Sequence, residues 1–164
     1  MSIKNQIQYF TQHYNPNRYW KYYFKLQNSG SKQNLFDFVR LLYLKRSDAF
    51  GKSSFGINLR GGAKFGSIPN FPHGLNGILI HEKSKIGKNA IICQQVTIGN
   101  SYSDTSRGFP IIEDDVFIGA GAKIIGGLTI GSNVKVGANA VVTKDVPPNH
   151  IVVGYNKILE KRKK

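Results

Sequence analysis

The chain is expected to be a mainly β protein, a parallel β-helix preceded by an N-terminal helical extension. Three observations predict this. Aliphatic residues recur every six positions at Ile80, Ile86, Ile92 and Ile98, then again at Ile112, Ile118, Ile124, Ile130, Val136 and Val142. Glycine follows the aliphatic at Ile86, Ile98, Ile118, Ile130 and Val136, and a small or aliphatic residue usually sits two positions before it. Glycine also partitions: of eighteen, only Gly30 lies within residues 1–50. Neither an α-helix nor an alternating strand has a period of six. A solenoid does, because each coil stacks on the last and buries one aliphatic side chain per face along the axis. Glycine after the aliphatic is read as a corner residue that needs unusual backbone dihedrals.

Residues 1–50 form the helical extension. Leu35, Phe38, Val39 and Leu42 recur at helical spacing, and Asn34 with Asp37 three residues later makes an N-terminal cap. The aromatic and basic stretch Tyr19-Trp20-Lys21-Tyr22-Tyr23-Phe24 is expected to cover the open end of the coil stack or build a subunit contact. Nucleic-acid stacking and a membrane face are its alternatives. The β-helix is assigned to residues 51–154, with Leu59, Phe65 and Phe71 keeping the spacing of its first coil. Nine residues separate Phe71 from Ile80, so three extra residues bulge out around His73. Fourteen separate Ile98 from Ile112, leaving an eight-residue excursion within Asn100–Pro110. Insertions in a solenoid become surface loops that often build the working face. Residues 155–164 form a basic C-terminal tail.

The net charge of +14 calls for an anionic partner: nucleic acid, a membrane surface or a phosphorylated small molecule. The charge is spread along the chain, and the one long basic run, Lys161–Lys164, reads as a solvated tail. No nucleic-acid partner is expected, whereas peripheral contact with an anionic membrane stays open. The N-terminus lacks the apolar core of a signal peptide and the chain has no long apolar run, so a soluble, cytoplasmic protein is expected. The single cysteine, Cys93, leaves no disulfide within the chain and is read as a buried or corner thiol.

Several motifs occur in order: His73-Gly74-Leu75-Asn76-Gly77-Ile78, Ile86-Gly87-Lys88-Asn89, Gln94-Gln95-Val96-Thr97-Ile98-Gly99, Ile118-Gly119-Ala120-Gly121-Ala122-Lys123-Ile124 and Val146-Pro147-Pro148. Together they resemble the hexapeptide-repeat acyltransferases, in particular their serine acetyltransferase branch, over about residues 56–156. The resemblance implies a left-handed parallel β-helix, a homotrimer with active sites between subunits, and acetyl-CoA as donor, with no metal. It places the catalytic base on His73. The residues agree independently, since acetyl transfer to a hydroxyl needs a base with a near-neutral pKa. Of the four histidines, His13 lies in the extension, His150 in the terminal segment, and His81 directly after an inward Ile. His73 alone sits in a loop that breaks the repeat. By the same resemblance, Ala120 and Ala138, eighteen residues and thus one coil apart, line the coenzyme groove. Thr143 and Lys144 match the end of that pattern, with Lys157 and Lys161 adding positive charge for the coenzyme phosphates.

The departures concern the acceptor. The aspartate that orients the family's histidine aligns with Asn58, which can accept a hydrogen bond but cannot offset an imidazolium charge. A carboxylate beside the histidine becomes Pro72. An Arg-His pair in the long loop becomes Arg107-Gly108-Phe109, making Arg107 and Phe109 the substrate-binding candidates. An aromatic ring suits the apolar face of a sugar. The leading expectation is therefore an acetyl-CoA-dependent O-acetyltransferase acting on a sugar hydroxyl in cell-surface polysaccharide synthesis. The alternatives are a serine O-acetyltransferase of cysteine biosynthesis and a non-catalytic β-helix scaffold.

Overall fold

The computed structural model describes residues 14–28, 34–59, 61–101, 106 and 108–160. Helix α1 (Pro16–Gln27) starts where the Asn15 side chain accepts a hydrogen bond from the Arg18 N–H, with proline in the first turn, where no backbone donor is lost. Helix α2 (Leu35–Gly51) opens on a complete capping box, in which the Asn34 side chain accepts from the Asp37 N–H and the Asp37 carboxylate accepts from the Asn34 N–H. It stops at Lys52, whose φ of 49° is left-handed.

The regular stripe on α2 does not face the core. Leu35, Phe38, Val39 and Leu42 are exposed, and the side the helix buries carries Asp37, Leu44, Ser47 and Asp48. The stripe therefore lies on the outer side of the helix. The aromatic cluster of α1 takes the place against the coil, so helical spacing alone did not say which face packs inward.

From Ser54 onward the chain winds into three parallel sheets. The first face holds β2 (Leu79–Ile80), β5 (Thr97–Gly99), β8 (Lys123–Ile125) and β11 (Val141–Val142). The second holds β1 (Lys64–Phe65), β3 (Lys85–Ile86), β6 (Ile111–Ile112) and β9 (Thr129–Ile130). The third holds β4 (Ile91–Ile92), β7 (Phe117–Ile118), β10 (Lys135–Val136) and β12 (His150–Val153), with β13 (Lys157–Glu160) added antiparallel to β12. Register is strict, so Ile80 lies beside Ile98, Ile98 beside Ile124, and Ile124 beside Val142. These inward side chains are buried, as are the residues two before them, such as Ile78, Val96, Ala122 and Ala140. The architecture is a left-handed parallel β-helix with a helical N-terminal part. Residues 157–160, expected as tail, are the last strand.

Two details of the expected first coil are corrected. Ser54 pairs with Leu79, so Phe55, fully buried, holds the inward position on the first face. Leu59 does not; it sits in a tight reversal closed by reciprocal backbone bonds between Asn58 and Gly61. The corner glycines also act differently than expected. Gly87, Gly99, Gly119, Gly131 and Gly137 all lack positive φ; the left-handed corner residues include Asn89, Gln95, Asp115, Gly121, Asn133 and Asn139. At Gly119 the constraint is proximity, because a Cβ there would lie 2.6 Å from the Ala138 nitrogen of the next coil.

The open end of the stack is plugged by aromatic rings. Trp20 stacks on Phe71 at 6.0 Å and on Phe55 at 6.0 Å, and meets Phe65 edge-on at 5.0 Å. Tyr23 donates its hydroxyl to the carbonyls of Phe55 and Ala63 at this end of the stack.

Candidate active site

Each corner of the coil stacks the same position of successive turns, so functional residues fall into columns along edges. The edge between the third and first faces begins with the turn containing His73. That turn is anchored on the helical part, since the Gly77 N–H donates to the Gly51 carbonyl, and the Asn76 side chain donates to the His73 carbonyl. The imidazole of His73 is exposed. Above it the column continues: the Gln95 N–H donates to the Asn76 carbonyl, the Gly121 N–H to the Gln94 carbonyl, and the Asn139 N–H to the Ala120 carbonyl. Ala120 and Ala138 thus share one edge with the His73 turn, as their eighteen-residue spacing predicts. Gln94 keeps a buried side-chain oxygen with no hydrogen-bond partner among the described residues.

The edge between the first and second faces carries the rest. The Asn58 side chain donates to Glu82 Oε2 at 2.9 Å. It does not reach His73, which lies across the first face; within one chain the expected pairing of these two residues is not formed. The His81 N–H donates to the Ile98 carbonyl at 2.8 Å, seating His81 beneath the point where the long excursion leaves the coil. Phe109, returning from that excursion, stacks on the His81 ring with centroids 4.5 Å apart. The ammonium of Lys83 stands 5.1 Å from the centre of the Phe109 ring, a cation–π contact. Between these groups lies a groove of about 680 Å³, with Leu79 and Ile125 on its floor and His81, Glu82, Thr97 and Phe109 among its walls. It joins an apolar floor to convergent polar groups, as ligand sites do.

Thr143 and Lys144 follow β11 on this second edge. Both hydrogen-bonding groups of Thr143 are engaged by Asn156, its N–H by Oδ1 at 2.8 Å and its hydroxyl by Nδ2 at 2.7 Å. Thr143 therefore fixes the terminal hairpin. Lys144 and Lys157 are exposed. Arg107 and Lys161 lie outside the described residues. His150, on the third face, does not converge with His73 or His81. Cys93 is buried, as expected. No helix among the described residues is long and apolar enough to cross a membrane.

Sequence reasoning missed His81 and Glu82. The signal was present, since His81 precedes Gly99 by eighteen residues and so stacks under the excursion's origin. It was overlooked because a residue beside an inward Ile reads as structural filling.

The left-handed parallel β-helix defines a fold class, and comparison with known proteins agrees. The family of bacterial transferase hexapeptide (six repeats) matches residues 109–144. The chain is 41% identical over 99 residues to the serine acetyltransferase of Bacillus licheniformis, covering 60% of this chain and 45% of that protein. It is 43% identical over 99 residues to the serine acetyltransferase of Staphylococcus aureus, covering 60% and 46%. Among solved structures, Neisseria gonorrhoeae serine acetyltransferase superposes with a TM-score of 0.65 at 33% identity, covering 77% of this chain and 47% of that one. Soybean serine acetyltransferase complexed with serine gives 0.59 at 35% identity, covering 72% and 46%. The chain spans just under half the length of these relatives. In sequence and fold it is similar to the hexapeptide-repeat acyltransferases, and among them to serine acetyltransferases.

Proposed function

We propose that this protein is an acetyl-CoA-dependent O-acetyltransferase whose acceptor is the hydroxyl of serine, with His73 as general base. The observation that carries the reading is the column on one edge, where the repeat-breaking His73 turn is continued by Ala120 and Ala138. A base and two small side chains on one edge suit a donor lying along the coil with its reactive end at the histidine. Small side chains leave room there, and Lys144 and Lys157 are exposed and free to approach phosphates. The relatives' name supports serine over the sugar acceptor expected from the departures at Asn58, Pro72 and Phe109, and no relative named above is a polysaccharide enzyme.

The chemistry asked of the chain is modest. His73 accepts the acceptor hydroxyl's proton as that oxygen attacks the acetyl carbonyl. The carbon–sulfur bond breaks, and the proton passes from His73 to the departing thiolate. An ester and a free thiol result, with no covalent enzyme intermediate. His73 and the groove beside Phe109 lie on opposite edges of the first face, so a complete site requires the edge of one subunit to meet the other edge of the next. A homotrimer with sites between subunits satisfies this.

The test is thiol release from acetyl-CoA with L-serine, hexoses and amino sugars at equal concentration. Saturable turnover of L-serine supports the reading. Turnover confined to sugars would restore the polysaccharide alternative, and failure on every acceptor would leave a non-catalytic scaffold.

A further inference from the structure

The proposed acceptor is a zwitterion, and binding it out of water requires charged or strongly polar partners for both its ends. Of the aligned positions, Phe109 is apolar, Asn58 is engaged by Glu82, and Arg107 alone is charged, which answers one end of the zwitterion at most. The groove beside them has its own set. We infer that His81-Glu82-Lys83 is the element that recognises the acceptor as an amino acid. Glu82 takes the ammonium, and the His81 Nε2–H, backed by the charge of Lys83, takes the carboxylate. This rests on the reading of serine as acceptor.

Four observations carry it. The first is tautomer. The Lys83 N–H donates to His81 Nδ1 at 3.1 Å, so that nitrogen holds the lone pair and the neutral ring carries its proton on Nε2. His81 is thus set as a donor rather than as a base, the opposite of what His73 must be. The second is orientation. Stacking on Phe109 at 4.5 Å and 25° fixes the ring plane, so the donor direction is settled before a ligand arrives.

The third is the placement of Glu82. Its Oε2 is held by the Asn58 amide, which steadies the carboxylate without neutralising it. Its backbone rests directly on Gly56, where a Cβ would come within 2.5 Å of the Glu82 Cα and where φ is +63°. The corner is therefore built to present this residue at one height. The fourth is convergence, since His81 and Glu82 line the same groove as the hydroxyl of Thr97, with apolar Leu79 and Ile125 beneath. A negative group and a polarised N–H on adjacent residues match the short separation of ammonium and carboxylate on one α-carbon. A neutral sugar would leave the Glu82 charge unanswered.

The experiment compares acceptors on the full-length protein: L-serine, ethanolamine (no carboxylate) and 3-hydroxypropionate (no ammonium). In the unmodified protein L-serine should be preferred over both. His81→Leu should raise KM for L-serine about 10-fold to 100-fold, the worth of one charge-assisted hydrogen bond, and leave ethanolamine little changed. Glu82→Gln should do the reverse, weakening L-serine and ethanolamine while sparing 3-hydroxypropionate. KM for acetyl-CoA should hold in both variants. His81→Gln, which keeps an N–H donor, should recover part of the loss and guards against a folding artefact. Equal KM for L-serine in all forms, or losses that do not follow the missing charge, would overturn the assignment while leaving the acetyltransferase reading intact. Failure of the unmodified protein on L-serine, with turnover of sugars, would remove the underlying reading and this proposal with it.

Discussion

On the proposed mechanism, His73 is the residue on which the chemistry depends. It is exposed, and its ring takes no hydrogen bond among the described residues. His73→Ala should lower acetyl transfer by about two to four orders of magnitude, the usual worth of a positioned general base, with coenzyme affinity retained. Single-turnover kinetics and equilibrium binding separate those two effects. Near-normal turnover would end the mechanism proposed above.

Asp48 is the other residue with unusual chemistry. Burial pushes its carboxyl up to about 7, against smaller opposing effects of the Tyr19 hydroxyl and the Lys45 charge. Tyr19 donates to Oδ1 at 2.6 Å, while buried Oδ2 has no partner among the described residues, a setting that favours the protonated acid. Because the folded pKa lies above the unfolded one, the folded state holds the proton longer as pH rises. The fold is then most stable with respect to this group below about pH 4, and stability falls as pH climbs from there to about 7. Asp48→Asn keeps the acceptor for Tyr19 and removes the ionisation. It should raise stability relative to the unmodified protein by about 4 kcal/mol at pH 8 and hardly at all at pH 4. Denaturant melts at the two pH values check this, and a gain of equal size at both would rule the titration out.

At the scale of elements, α1 is a lid on the coil. Without it Phe55, Phe65 and Phe71 would end the stack in water, and the last carbonyls would lose the Tyr23 hydroxyl. Trp20 is the centre of this plug, with no exposed surface and ring contacts to all three phenylalanines. Trp20→Ala should cost about 3–5 kcal/mol, as for other fully buried large aromatics. The loss should appear in thermal melts as early unfolding of the first coil, adjacent to the His73 turn, and therefore as falling activity before the later coils unfold. A melt in which activity and β-structure vanish together would mean that the lid and the distant coils form one cooperative unit.

On the proposed reading, the whole molecule presents a site divided between two edges of one face. Within one chain the base and the acceptor groove stand apart, so activity should require assembly. Light scattering should find a trimer, and dilution should lower specific activity as the trimer dissociates. A stable monomer with full activity would refute the shared site and require another base near the His81 groove.

Much of this architecture was already legible in the chain. Side chains repeat every six residues because a coil has three equal faces, so Ile80 to Val142 determined the stack, and the two breaks in that period located the loops that carry His73 and Phe109. Three things were decided only by tertiary structure. Phe55 rather than Leu59 enters the first coil, because parallel pairing of Ser54 with Leu79 sets the register and the surplus residues fold into a reversal. The stripe of Leu35, Phe38, Val39 and Leu42 faces outward, because the α1 aromatics have already filled the end of the coil. Asn58 serves Glu82 and not His73, because corners one face apart in space are indistinguishable in a list of residues. Periodicity is a one-dimensional property that survives in sequence. Which edge a corner residue occupies, and what stands beside it, depends on how the coils close in three dimensions.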